Sequence, residues 1–244
     1  MIRSILAGVA VLALAACNSG PGNSNAAAVQ VAGKSAPAGT EWATTVALTK
    51  DGGYRMGNPD APIKLIEYGS VTCPACAAFS AQAMEPLKTN YIKSGRVSYE
   101  FRSYLLHGAP DVMATLVLQC GGPEPFFTLL EASFADLQNW LGKLSAMTPA
   151  EQTRIQSLPL AAQSTALAQV SGMDQFVIQR GVSSEAVKQC LADPKMPEKL
   201  LAMRNRANTE FELTGTPTFI INGKVVEGVG NWADLEPELR AAGA

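Results

Sequence analysis

Five cysteines and one histidine are the residues of this chain whose types and spacing could do chemistry. Two of them form Cys73-Pro74-Ala75-Cys76. A pair at this spacing can exchange with other disulfides, hold a metal or form a structural bridge. Zinc would need further ligands; Cys120 and Cys190 are not a second close pair, and His107 stands alone, so no metal site and no cofactor are expected. The single histidine also leaves little material for a Ser/His/Asp triad. A structural bridge between near neighbours stays open, although bridges more commonly tie distant elements together.

The elements around the pair favour exchange. It follows a β-prone run, Ile63 to Tyr68, and opens a helical segment of about Ala77 to Ser94, ended by Gly95. A cysteine at a helix start faces unpaired backbone N–H groups and the positive end of the helix dipole, and both stabilise a thiolate. The thiolate is the nucleophile and leaving group of disulfide exchange. Pro74 and Ala75 support that start: Pro74 has no N–H to lose in a first turn, and its fixed φ holds the turn. Cys73 is expected to be exposed and to meet the substrate, with Cys76 more buried and resolving the mixed disulfide.

Other runs complete the frame. Thr45 to Leu48 reads as a strand, Val97 to Phe101 as an alternating strand, and Thr218 to Ile221 with Lys224 to Val226 as a hairpin around Asn222-Gly223. A last amphipathic helix falls around Leu235 and Leu239. Between these halves helical spacing dominates: Pro110-Asp111 opens one helix, Thr148-Pro149-Ala150-Glu151 is a capping box, and Ser183 or Ser184 can cap another. Phe126, Phe127, Leu130 and Phe134 share an aromatic face suited to core packing, and Trp140 and Trp232 are taken as packing residues. Pro86 should kink the helix after Cys76. His107, in Leu105-Leu106-His107-Gly108, is taken as a satisfied loop residue. Cys120 and Cys190 lie on apolar helix faces and are expected to pair as a structural disulfide if the protein is exported.

Export is what the first residues suggest. Arg3 precedes an apolar run, Ile5 to Ala16, too short to cross a bilayer, and the run closes in Leu14-Ala15-Ala16-Cys17. That ending resembles a bacterial lipobox, which would make Cys17 the lipidation site and the mature N-terminus. The expected organisation is a signal peptide over 1–16, a lipidated flexible tether over 17–43, one globular domain from 44–106 and 211–244, and a helical insertion over 107–210. With 47% apolar and 16% charged residues the chain is too hydrophobic to be disordered. With 19 basic against 21 acidic side chains and no basic stripe, nucleic acid is not an expected partner.

Glu67-Tyr68-Gly69-Ser70-Val71-Thr72-Cys73-Pro74-Ala75-Cys76, the later Gly215-Thr216-Pro217-Thr218-Phe219-Ile220-Ile221-Asn222-Gly223, and an insertion of suitable length between them resemble the DsbA-like thiol:disulfide oxidoreductases. The resemblance covers about residues 45–242. It implies a thioredoxin-like α/β fold with an inserted α-helical domain, and a cis Thr216–Pro217 bond beside the sulfurs that leaves the Thr216 backbone free for an extended substrate. It also implies a place for Glu67 beneath the dithiol, where burial would raise its pKa and let it relay protons to Cys76; a solvent-side strand end is the plainer alternative. Many members have His where this chain has Ala75, so oxidase and reductase directions are both open. The implied partners are reduced exported proteins as substrates and a DsbB-like membrane reoxidant. Isomerase relatives dimerise through an N-terminal domain for which residues 18–43 are too short, so a monomeric, lipid-anchored periplasmic oxidase is expected. The alternatives are a reductase or isomerase, or a non-catalytic module that binds clients or a metal.

Overall fold

The computed structural model describes residues 30–244. The expected signal peptide, the lipidation residue Cys17 and the first part of the tether lie outside them. Six strands form one sheet in the order β1-β2-β4-β3-β5-β6: β1 (Val46–Leu48), β2 (Tyr54–Met56), β3 (Ile63–Gly69), β4 (Val97–Ser103), β5 (Thr218–Ile221) and β6 (Lys224–Val226). β3 and β4 run parallel, while the other neighbours are antiparallel. A parallel pair needs a crossover, and α1 (Pro74–Pro86) with the π-helical turn Leu87–Ile92 supplies it. Pro86 stands where α-helix gives way to π-helix, because a residue without an N–H cannot continue the ladder.

Eight helices follow β4 before the chain returns to the sheet: α2 (Ala109–Gln119), α3 (Phe126–Ala135), α4 (Leu137–Ser145), α5 (Pro149–Gln156), α6 (Leu160–Ser171), α7 (Met173–Ile178), α8 (Ser184–Ala192) and α9 (Lys195–Phe211). α10 (Trp232–Ala241) closes the fold on buried Leu235 and Leu239. Thr148 and Glu151 form the capping box of α5, and the Ser183 hydroxyl accepts from the Ala186 amide at the start of α8. The aromatic face of α3 docks the insertion on the sheet. Phe126 stacks on Tyr54 at 3.8 Å and lies 6.1 Å from Phe101, and Phe127 meets Tyr99 at 5.5 Å. Trp140 is buried and donates to the Ser133 carbonyl at 3.0 Å. This is the expected α/β architecture with a helical insertion.

Three local expectations change. β2 is an additional strand; at three residues it is too short for alternation to register. β4 is buried on both faces rather than alternating, because α9 and the β1–β2 turn bring counter-charges to its polar side. There Arg102 binds Glu100 at 2.7 Å and Asp51 at 2.9 Å, and Arg206 of α9 holds Asp51 at 3.2 Å. Residues 30–43, expected within a loose tether, lie along the domain. The Val31 amide donates to the Gly243 carbonyl at 2.8 Å, and the buried Trp42 donates its Nε1–H to the Lys34 carbonyl at 2.6 Å. A large apolar ring and a chain of main-chain bonds offset the ordering entropy that composition alone leaves unmet.

This segment crosses the turn that leads into β4, and Ile63 at the start of β3 bonds Arg96 beside it at 3.0 Å. Gly95 adopts φ +73°, and a Cβ there would stand 2.1 Å from the Lys34 carbonyl oxygen. Gly95→Ala should therefore cost about 1–3 kcal/mol in urea unfolding and open residues 30–42 to limited proteolysis. Unchanged stability with a protected segment would refute this packing.

Candidate active site

The site is built where β3 ends and α1 begins. Cys73 is the N-cap of α1, with extended φ −86° and ψ 120°, and Pro74 occupies the first turn. Cys73 donates its own N–H to the Ser70 carbonyl at 3.1 Å, which closes the turn, and Ala77 N–H returns to the Cys73 carbonyl at 3.1 Å. Both thiols are free. Cys76 is wholly buried, on the face of α1 that carries Phe79 and Ala83.

Cys73 departs from expectation: the residue is only 5% exposed. The loop before β5 folds over it, so that the Cys73 sulfur lies 3.5 Å from the Thr216 carbonyl oxygen. The Thr216–Pro217 bond is cis. The structure thus brings Cys73, Pro74, Ala75, Cys76, Thr216 and Pro217 together.

The Cys73 thiol is pulled down from about 9 to about 5. The largest cause is a hydrogen bond from the Cys76 thiol. Burial opposes it, and the Thr216 side chain and the Ala75 and Cys76 amides add to it. The Thr216 hydroxyl is buried with no other partner. Cys76 moves the other way, well above its ordinary value, through burial first and then the bond it gives to Cys73 and the nearby charge of Glu67. One sulfur is an anion at neutral pH and its neighbour a thiol.

Glu67 lies in the middle of the sheet, paired with Phe101 on β4 and Phe219 on β5, and is 1% exposed. Burial raises its carboxyl to about 8, a bond from Tyr99 pulls against that, and the Cys73 charge adds to it. Tyr99 OH donates to Oε2, whereas Oε1 is buried without a partner. A free lone pair on a carboxyl of this pKa suits proton transfer. Gly69 makes room for it: a Cβ there would stand 2.4 Å from the Phe101 ring and 2.8 Å from Glu67 Oε1.

Sequence reasoning missed a second group. Asp111, read only as a helix opener, is buried beside the loop that precedes Cys73, where Ser70 and Thr72 donate to it. His107 is half exposed, with Nδ1 2.7 Å from the Thr72 hydroxyl. A carboxylate and a histidine four residues apart across a glycine were the available signal, and nothing in the pattern told that they point back at β3.

Cys120 and Cys190 lie outside this site and are joined to each other, with Cα atoms 5.5 Å apart, linking α2 to α8. Among the described residues no cluster of His, Cys, Asp and Glu could hold a metal ion.

The Cys73 anion should appear as a thiolate absorbance that rises with pH around a midpoint near 5. In Cys76→Ala the midpoint should climb by at least about one unit, since the principal donor is gone. A midpoint unmoved by that substitution would mean that the thiol of Cys76 does not hold the charge.

The chain is similar to known proteins. A solved protein-disulfide isomerase from Novosphingobium aromaticivorans is 30% identical, with a TM-score of 0.72 over 77% of this chain and 95% of its own. The structure of Wolbachia pipientis alpha-DsbA1 is 20% identical, with a TM-score of 0.60 over 79% of this chain and 91% of its own, a likeness of fold. A provisionally named protein-disulfide oxidoreductase of Rickettsia bellii is 28% identical over 172 residues, or 70% of this chain, and the chain spans 58% of that protein's length. The family model described as thioredoxin matches residues 49–239. The chain belongs to the thioredoxin family.

Proposed function

We propose that this protein is an exported thiol:disulfide oxidoreductase that works as an oxidase, passing the Cys73–Cys76 disulfide to cysteines of newly secreted proteins. The observation that carries this is the setting of Cys73, which caps α1 beside the buried Cys76 thiol and the Thr216 loop, so that its own thiol is pulled down to about 5. A thiolate held this firmly favours the reduced protein over the disulfide, which makes the disulfide form an oxidant.

The exchange runs in two steps. A client thiolate attacks the Cys73 sulfur, the Cys73–Cys76 bond breaks, and Cys76 leaves as a thiolate that takes a proton. Glu67, protonated below about pH 8, is the buried group that supplies it. A second client thiolate then attacks its own sulfur in the mixed disulfide and expels the Cys73 thiolate. The client gains a disulfide, and its two electrons remain on Cys73 and Cys76. Thr216, whose carbonyl lies beside Cys73, would pair with the extended client in the mixed disulfide. A DsbB-like membrane partner would withdraw the electrons.

An isomerase has one support of its own, the name carried by the Novosphingobium relative. Equilibration with glutathione separates the two: an oxidase gives a potential well above that of thioredoxin and near the oxidising end of the family, and a thioredoxin-like value overturns the proposal. The stability difference between redox forms carries the same sign. Because the folded Cys73 pKa is depressed, thiolate stabilisation of the reduced form is full above about pH 9, shrinks as pH falls, and is lost below about 5. Reduced protein should melt above oxidised protein at pH 7, and the gap should close by pH 4. Glu67→Gln should slow client oxidation about tenfold or more at pH 7 and flatten its pH profile near 8.

No helix of the described residues is long and apolar enough to cross a membrane. The proposed attachment is a lipid on Cys17, on the strength of the lipobox-like Leu14-Ala15-Ala16-Cys17, with the domain in the periplasm. Cys17→Ser should move the protein from the membrane to the soluble fraction with activity intact; retention in the membrane would sink the anchor.

A further inference from the structure

Asp111 is 0% exposed in the first turn of α2, and among the described residues no lysine or arginine pairs with it. Its oxygens accept from two separate stretches of chain. Oδ1 takes the Ser70 hydroxyl at 2.8 Å, the Thr72 hydroxyl at 2.8 Å and the Thr72 amide at 3.2 Å. Oδ2 takes the Leu106 amide at 2.8 Å and the His107 amide at 2.7 Å, with the Ser70 hydroxyl at 3.0 Å. None of these bonds serves the amides of α2. The Thr72 hydroxyl has one proton, and a carboxylate is the stronger acceptor for it, so His107 Nδ1 donates to the Thr72 oxygen.

A carboxylate buried without a lysine or arginine is costly unless hydrogen bonds replace its hydration; His107 Nδ1 is 3.8 Å from Oδ2, and each of these hydrogen bonds to Asp111 ends on the loop before Cys73 or the loop before α2. Thr72 is followed directly by Cys73, whose amide is held by the Ser70 carbonyl at 3.1 Å. The Ser70 main chain also bonds the Cys76 sulfur and draws down a thiol that burial drives up.

We propose that Asp111 is a positioning residue for disulfide exchange: it fixes Ser70 and Thr72 and through them seats both sulfurs, joining the helical insertion to the dithiol. Exchange at Cys73 is assumed here in either direction, so the inference does not depend on the oxidase assignment.

The test uses the full chain. In Asp111→Asn the side chain can accept on one side only, and its NH2 group meets an amide donor on the other. The variant should keep its helical circular dichroism and the Cys120–Cys190 bond. The Cys73 thiolate midpoint should rise by about one unit, and exchange with a small disulfide at pH 7 should slow about tenfold, the scale of one well-placed hydrogen bond. A purely structural role would lower the melting temperature and leave that midpoint in place. Thr72→Val and Thr72→Ser decide the matter even if Asp111→Asn does not fold: the valine variant should shift the midpoint the same way, and the serine variant should restore it.

A folded Asp111→Asn or Thr72→Val with the parental midpoint and rate overturns the inference, as does a serine variant that behaves like valine. A parent whose Cys73 titrates as an ordinary cysteine would instead sink the oxidoreductase assignment, and this inference with it.

Discussion

A negative charge on one sulfur, held by hydrogen bonds in a nearly closed site, is the constraint from which the rest of this structure follows. Burial alone would push the Cys73 thiol up. It is overcome because the first turn of α1 presents amides, the neighbouring thiol donates, and the Thr216 loop closes over the top. The amides and the Cys76 thiol belong to the first turn of α1, but Thr216 comes from a loop 143 residues away, so the full set of donors depends on a completed fold. The same charge, felt below, helps keep the Glu67 carboxyl protonated and Cys76 neutral. Three ionisable groups in one small space thereby settle into one anion and two acids, which is the division of labour that exchange requires.

Much of this was legible in the sequence. Cys73-Pro74-Ala75-Cys76 after an apolar run places a dithiol at a helix start by local rules alone, and Asn222-Gly223 marks the last hairpin in the same way. Resemblance was needed for Thr216–Pro217, because a cis bond has no local signature strong enough to read. The burial of Cys73 was not legible, since it comes from a loop 143 residues away. Nor was the network around Asp111: an acid in the first turn of a helix ordinarily reads as a dipole partner, and only the tertiary path of β4 returns it to Ser70 and Thr72. Residues 30–43 failed for a related reason, as composition cannot see that Trp42 has a seat waiting.

The insertion is tied to the sheet by more than the aromatic face of α3. α2 is held at its first turn by bonds to the dithiol loop and carries at its far end the link from Cys120 to Cys190 on α8. On the opposite face, Arg206 of α9 meets Asp51 and so reaches Arg102 on β4. A half-buried ion cluster of this kind contributes little net stability against an apolar replacement, but it penalises misplacement of the buried Arg102. Sheet and insertion therefore meet in one register.

Where the chain enters the domain has a consequence of its own. Residues 31–34 lie against the C-terminus and the turn at Gly95, beside the start of β3, whereas the sulfurs sit past its end. Seven residues of strand separate the two poles, about 20 Å. Whatever reaches Cys73 thus approaches from the end of β3 opposite to the one against which residues 31–34 lie.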